Sequence, residues 1–280
     1  VLKQKHKSLG PMKTRREDAF FNWIYKKSNV KILLILIIFF VTMLDILPRL
    51  LQCIPIFAPT QDSTRLGLGL FGSIITLSGL LIGFLLNQAQ TNFREVQSLV
   101  SQESGRINNL DRLLLRFGDN HSLQIRNNLK GYLESIIRDE WPELKLERGS
   151  NKTHMKWRTI SQELFKLDPK TPKQLAIYTE ILEASEQVAE SRESRIDRAS
   201  QKLPKVFWFA MLILLLAICS IGLLVGTEDN VTPFGLGIFP VVFGVMLGLL
   251  VIFDQPFKMK NGIKSAALEK TFDSISTRNE

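Results

Sequence analysis

Cysteine and histidine are scarce in this sequence: two cysteines, Cys53 and Cys219, and three histidines, His6, His121 and His154, in 280 residues. Two thiols in unrelated places make no disulfide framework. No His or Cys pair stands at metal-ligand spacing, so no metal centre is expected. There is no G-x-S-x-G elbow and no P-loop. The glycine run Gly67-Leu-Gly69-Leu-Phe-Gly72 lies inside an apolar stretch and is not taken as a dinucleotide fingerprint. Neither an enzyme nor a cofactor is indicated.

Charge is missing from four stretches. Val30–Leu47, Leu66–Leu86, Val206–Gly226 and Phe234–Phe253 are 18, 21, 21 and 20 residues long and almost uncharged. At about 1.5 Å per residue, about 20 residues cross a hydrocarbon core about 30 Å thick. A wholly soluble protein is excluded, although mean hydropathy is only +0.07. The chain divides into a basic N-terminus (1–29), spans 1 and 2 (30–89), a helical domain (90–203), spans 3 and 4 (204–253) and a tail (254–280).

The net charge of +9 does not mark a nucleic-acid binder. Residues 1–29 hold eight Lys or Arg against Glu17 and Asp18, whereas residues 90–203 hold 19 basic and 17 acidic residues, nearly balanced. A duplex-binding domain would concentrate its charge there. The distribution instead follows the positive-inside rule. The tail carries 5 basic residues, and the loop between the last two spans has Glu228 and Asp229 and no base. Both termini and residues 90–203 are therefore placed in the cytoplasm. The cluster Phe20, Phe21, Trp23, Ile24 and Tyr25, followed by Lys26 and Lys27, reads as a segment lying at the inner interface. Asp45 and Arg49, one turn apart beside Pro48, read as an interfacial ion pair at a helix end.

Residues 90–203 show helical periodicity throughout. A helix continues from the second span, with Phe93, Val96, Val100, Ile107, Leu110, Leu114 and Phe117 at 3-4 spacing and Glu103 in the gap. Two readings stay open. In one, the helix surrounds an axis and Glu103 faces a central water path. In the other, the seam is a core stripe and Glu103 pairs with a base on a neighbouring helix. Further helices are expected at Ser122–Glu140, after Thr153, and from Thr171-Pro172-Lys173-Gln174, which has the form of a capping box with proline at the first helical position.

The second span carries the functional pattern. Ser73, Thr76, Leu80, Phe84 and Asn87 form one stripe that begins polar, turns apolar and ends polar. A pore-lining helix with a hydrophobic constriction has this form, and so does a helix buried in one subunit. Gly79 and Gly83, Gly222 and Gly226, and Gly244 and Gly248 are pairs four apart, a spacing that permits close helix contact in lipid.

The segment Leu81-Ile-Gly83-Phe84-Leu-Leu-Asn-Gln-Ala-Gln-Thr-Asn-Phe93-Arg94-Glu95 resembles the end of the second span in the bestrophin-like membrane family. Ile196–Trp208, with Pro204 and Trp208, resembles that family's entry to the third span. Phe253-Asp254-Gln-Pro256-Phe257 resembles its acidic-Pro-Phe ending of the fourth. The likeness covers most of residues 66–260. It implies an all-α fold of four transmembrane helices, with a helical cytoplasmic domain between spans 2 and 3, in a bacterial inner membrane. Bestrophins proper are homopentameric anion channels, and the likeness puts Leu80 and Phe84 at the neck. Thr76 stands where the family has a larger apolar residue. Ser73, Asn87 and Glu103 become axial polar candidates. After Asp254 come Gln255, Lys258 and Lys260 instead of an acidic run, so no calcium clasp is expected. The expected partners are the bilayer, permeant ions and further copies of the chain, a pentamer before a tetramer. The alternative function is a membrane-anchored helical interaction or sensor protein without conduction, for which the 114 residues of 90–203 speak.

Overall fold

A computed structural model describes residues 28–225, 231–259 and 262–278, and the side chains of these except 231–236. The interfacial segment expected at Phe20–Lys27 and the acidic loop at Glu228 and Asp229 lie outside the described residues. In order, the helices are α1 (Asn29–Val41), α2 (Leu47–Gln52), α3 (Gln61–Phe117), α4 (Asn120–Ser135), α5 (Trp141–Leu144), α6 (Asn151–Leu164), α7 (Pro172–Ser200), α8 (Lys205–Leu224), α9 (Val231–Asp254) and α10 (Ala266–Thr277). The fold is all-α, and four of its helical stretches are long and apolar enough to cross a membrane.

The first span does not end at Pro48. The helix widens into a π-turn over Thr42–Ile46 and continues as α2 through Pro48 to Gln52. Proline has no N–H to give and its ring crowds the preceding turn. The wider turn accommodates this, with Leu47 N–H reaching back to the Thr42 carbonyl. The Met43 carbonyl would find its π-type donor at Pro48, which has none, and the Cys219 thiol of α8 lies 3.6 Å from it. Asp45 and Arg49 form the expected ion pair. Gln52 then donates to the carbonyls of Gly222, Leu223 and Val225, covering the end of α8.

The third helix is one piece of 57 residues, about 86 Å at 1.5 Å per residue. Thr60 and Ser63 cap its start reciprocally. It runs through Gly105 without a break and stops at Gly118, whose φ of 77° is the left-handed conformation that glycine supplies at a helix end. Span 2 is its first part, and the remainder is a wall of the extramembrane bundle.

That bundle packs α3, α4, α6, α7 and α10 around Val96, Val100, Ile107, Leu110, Leu129, Leu133, Ile160, Ile181, Val188 and Leu268. Its starts are chemically marked. Asp119, Ser150 and Thr171 each accept a hydrogen bond from the backbone N–H three residues on, the N-cap arrangement. Gln174 accepts from Lys170 N–H rather than from the cap residue itself, so the box is offset by one position. Phe165 and Leu175 are exposed. The tail contributes a helix that was not among those expected: α10 lies against α3, with Ser104 bonded to Thr271 and to the Ala267 carbonyl.

Polar contacts join bundle to spans. Asp254, ending α9, accepts from Leu203 N–H at 2.7 Å, satisfying the non-helical link between α7 and α8. Glu147 sits at φ 62°, an unusual conformation for a non-glycine residue, and its carboxylate meets Lys202 at 2.6 Å and Lys258 at 2.7 Å. Burial would raise this carboxyl, but hydrogen bonds from the two lysines outweigh it and hold it below the usual glutamate range.

Candidate functional site

The stripe read from the second span is turned away from the chain's own core. Ser73, Thr76, Leu80, Phe84 and Asn87 are all exposed, Leu80 at 74% and Phe84 at 58%. The opposite face of the same turns is closed, with Ser78, Ile82, Leu85 and Ala89 buried against α8 and α9. A position in the core among the described residues is thus excluded for Leu80 and Phe84. Thr76 donates to the Gly72 carbonyl at 2.9 Å and Ser73 to the Gly69 carbonyl at 3.3 Å. Both hydroxyls are satisfied by their own helix and can face an apolar or an aqueous neighbour.

The glycines follow the same division. A methyl added at Gly69, Gly72, Gly79 or Gly83 would meet nothing within 4 Å. By contrast, one at Gly244 would lie 2.8 Å from the Ile37 backbone, and one at Gly248 would lie 2.5 Å from Leu33. The smooth face of α3 therefore has no neighbour among the described residues.

Glu103 is not an axial residue. It is fully buried, and Arg195 of α7 donates to it at 2.5 Å and 3.1 Å. Arg195 also donates to Glu140 at 2.6 Å, and Arg192 closes onto the same carboxylate. Of the two readings of the seam, the geometry is that of a core stripe with a paired carboxylate. The reason is rotational: at about 100° per residue, Glu103 lies roughly 140° around the helix from Leu80. The heptad and the stripe are two faces of α3, not one continuing the other. Four charges out of water tolerate one another only when paired and hydrogen-bonded. Burial would raise the Glu140 carboxyl, but the Arg195 charge and the Arg192 hydrogen bonds hold it below the glutamate range. Burial, and then the Glu103 charge, push the Tyr132 phenol well up.

Spacing on α3 alone did not find Arg195, Glu140 or Asp111. Asp111 is fully buried and held by Arg126 of α4 and by Arg278 beyond α10. A carboxylate inside an apolar seam was the available signal, and it names the need for a base without naming the base. No group of three or more His, Cys, Asp or Glu among the described residues is placed to hold a metal ion.

Four membrane-crossing helices, with a helical bundle continuing the second, define a class of multi-pass membrane protein. Residues 59–268 match the model of the Bestrophin-like domain, and the chain belongs to that family. Its fold is similar to that of a bacterial bestrophin homologue from Klebsiella pneumoniae solved with a point substitution: TM-score 0.65, 15% identity, 90% of this chain and 99% of that one. The same homologue solved by zinc phasing gives TM-score 0.62, 16% identity, and coverage of 89% and 97%. A crystal structure described as a membrane protein gives 0.64, 16%, 88% and 97%. A comparison with the curated proteins finds no match. Bestrophin-like family members are channels, not enzymes.

Proposed function

We propose that the chain is one subunit of a homo-oligomeric ion channel that conducts anions, with α3 lining a hydrophobic neck at Leu80 and Phe84. The observation that carries this is the outward turn of an apolar pair between polar ends, on a helix face smoothed by glycine. Such a face needs a partner, and copies of itself around an axis supply one. A pentamer is preferred on the family likeness. Thr76 widens or wets the outer side of the neck, and Ser73 and Asn87 stand at its two ends. Both termini and residues 90–203 lie in the cytoplasm of a bacterial cell whose inner membrane holds the spans, as the basic residues direct.

An apolar ring narrow enough to shed water opposes ion passage without a charged gate. Shrinking Leu80 and Phe84 together to Ala keeps the path hydrated, so ion flux into liposomes rises about tenfold or more, as expected when a barrier drops by more than about 1.4 kcal/mol. Flux left at background, with the double variant still folded, overturns the neck. A monodisperse monomer in mild detergent and in nanodiscs overturns the assembly.

A further inference from the structure

Below the membrane the long helix sorts its charges by face. Residues 90–117 hold four arginines, Arg94, Arg106, Arg112 and Arg116, and three carboxylates, Glu95, Glu103 and Asp111. Every carboxylate is engaged by an arginine from another element. Glu103 is bound by Arg195, Asp111 by Arg126 and Arg278, and half-buried Glu95 by Arg198 at 2.9 Å. Arg106 is half-buried and donates to the Gln187 carbonyl and to Ser191, with Glu190 at 3.6 Å. Arg94, Arg112 and Arg116 remain exposed.

Their register is that of the stripe above them. Arg116 follows Leu80 by 36 residues, about ten turns at 3.6 residues per turn, which returns it to the same line. Arg94 and Arg112 fall roughly 40° to one side of that line, whereas Glu103 and Asp111 fall roughly 140° away from it on either side. Between the arginines, Thr91, Ser98, Gly105 and Asn109 are exposed and uncharged. The strip from Ser73 to Arg116 therefore carries three positive charges, and the one carboxylate at its edge, Glu95, roughly 60° to the other side of the line, is paired with Arg198. The groove beside it is lined by Ser98, Gln102, the Glu95–Arg198 pair and, on α7, the exposed Asp197.

We propose that Arg94 forms the ring that selects anions, and that Arg112 and Arg116 gather anions at the bundle end of the path. This rests on the reading of α3 as the pore helix. Arg94 lies ten residues beyond Phe84, about 15 Å along the axis. Copies of it around that axis concentrate positive charge just past the constriction. The apolar ring raises the barrier for every ion, and the charged ring then decides which sign is enriched at it.

The test is the reversal potential of the full chain in liposomes under a potassium chloride gradient, in the wild-type background and with Leu80 and Phe84 shrunk to Ala. Arg94→Lys keeps the chloride preference. Arg94→Gln weakens it, and Arg94→Glu lowers the chloride-to-potassium permeability ratio by about tenfold or more. Arg138→Gln, a solvent-facing change on another helix paired only with Glu134, leaves the ratio unchanged. An unaltered ratio in Arg94→Glu, with flux still present, overturns the ring while leaving the pore intact. Absence of flux above empty liposomes in every variant overturns the pore helix, and the ring with it.

Discussion

Two glycine-rich spans of this chain use the same sequence motif in opposite ways. In α9, Gly244 and Gly248 seat the helix against the backbone and side chains of α1, and half of that span's apolar window is buried within one copy. In α3, Gly79 and Gly83 have the same spacing and touch nothing, and only 17% of the apolar window is buried. Small residues four apart make close approach possible without naming what approaches. Which glycine pair is packed within the chain and which is left open follows from where the other helices lie.

That contrast can be broken at three places, the largest effect first. Leu85 is 1% exposed and Leu80 is 74% exposed, little more than one turn apart. Leu85→Ala should cost roughly 2–5 kcal/mol of subunit stability, as buried leucine truncations do. Leu80→Ala should cost under about 1 kcal/mol. Thermal unfolding of the two variants in the same detergent checks this, and equal losses would erase the distinction between the two faces. Next, Gly244→Ala forces a methyl onto the Ile37 backbone and should cost roughly 1–3 kcal/mol. Gly83→Ala should leave the subunit's melting temperature near wild type and instead shift the population from oligomer to monomer on gel filtration. A stable oligomer in Gly83→Ala, together with a melting loss equal to that of Gly244→Ala, reverses the assignment.

The smallest effect concerns pH and separates the bundle from the spans. Glu140 and Glu147 are both held below the usual glutamate range by their cationic partners. A depressed folded value stabilises above the unfolded value, about 4.3, and that contribution is lost as pH falls through the folded value. Melting temperature should be flat from about pH 7 to 5 and fall below about pH 4. The glycine contacts of α9 contain no titrating group and should persist. Circular dichroism followed across that range would refute the linkage if stability rose on acidification.

Much of the architecture was legible because it depends on local composition. Four uncharged stretches locate the spans, and Thr171-Pro172-Lys173-Gln174 locates the start of α7 to the residue. The stripe Ser73–Asn87 was legible as a stripe, since helical period is a property of neighbours in sequence. Its direction was not, because a buried face and an axial face share one spacing. Glu103 illustrates the limit. Its place in an apolar seam was plain, but its partner Arg195 is 92 residues away, and periodicity carries no information across that separation. The tail helix α10 went unread although its pattern was there: Leu268, Phe272 and Ile275 stand at helical spacing and pack into the bundle core.

Composition and period alone locate the stretches apolar enough to cross a membrane, the helical character of residues 90–203 and the pattern of residues on the long helix, all consequences of transfer energy and a 3.6-residue period. Which side of that helix is used up depends on how the other helices pack against it. Packing α4, α7 and α10 against one face draws Glu95, Glu103 and Asp111 to arginines and leaves Leu80, Phe84 and Arg94 outside, because a buried carboxylate must find a cation whereas an exposed arginine can remain in water.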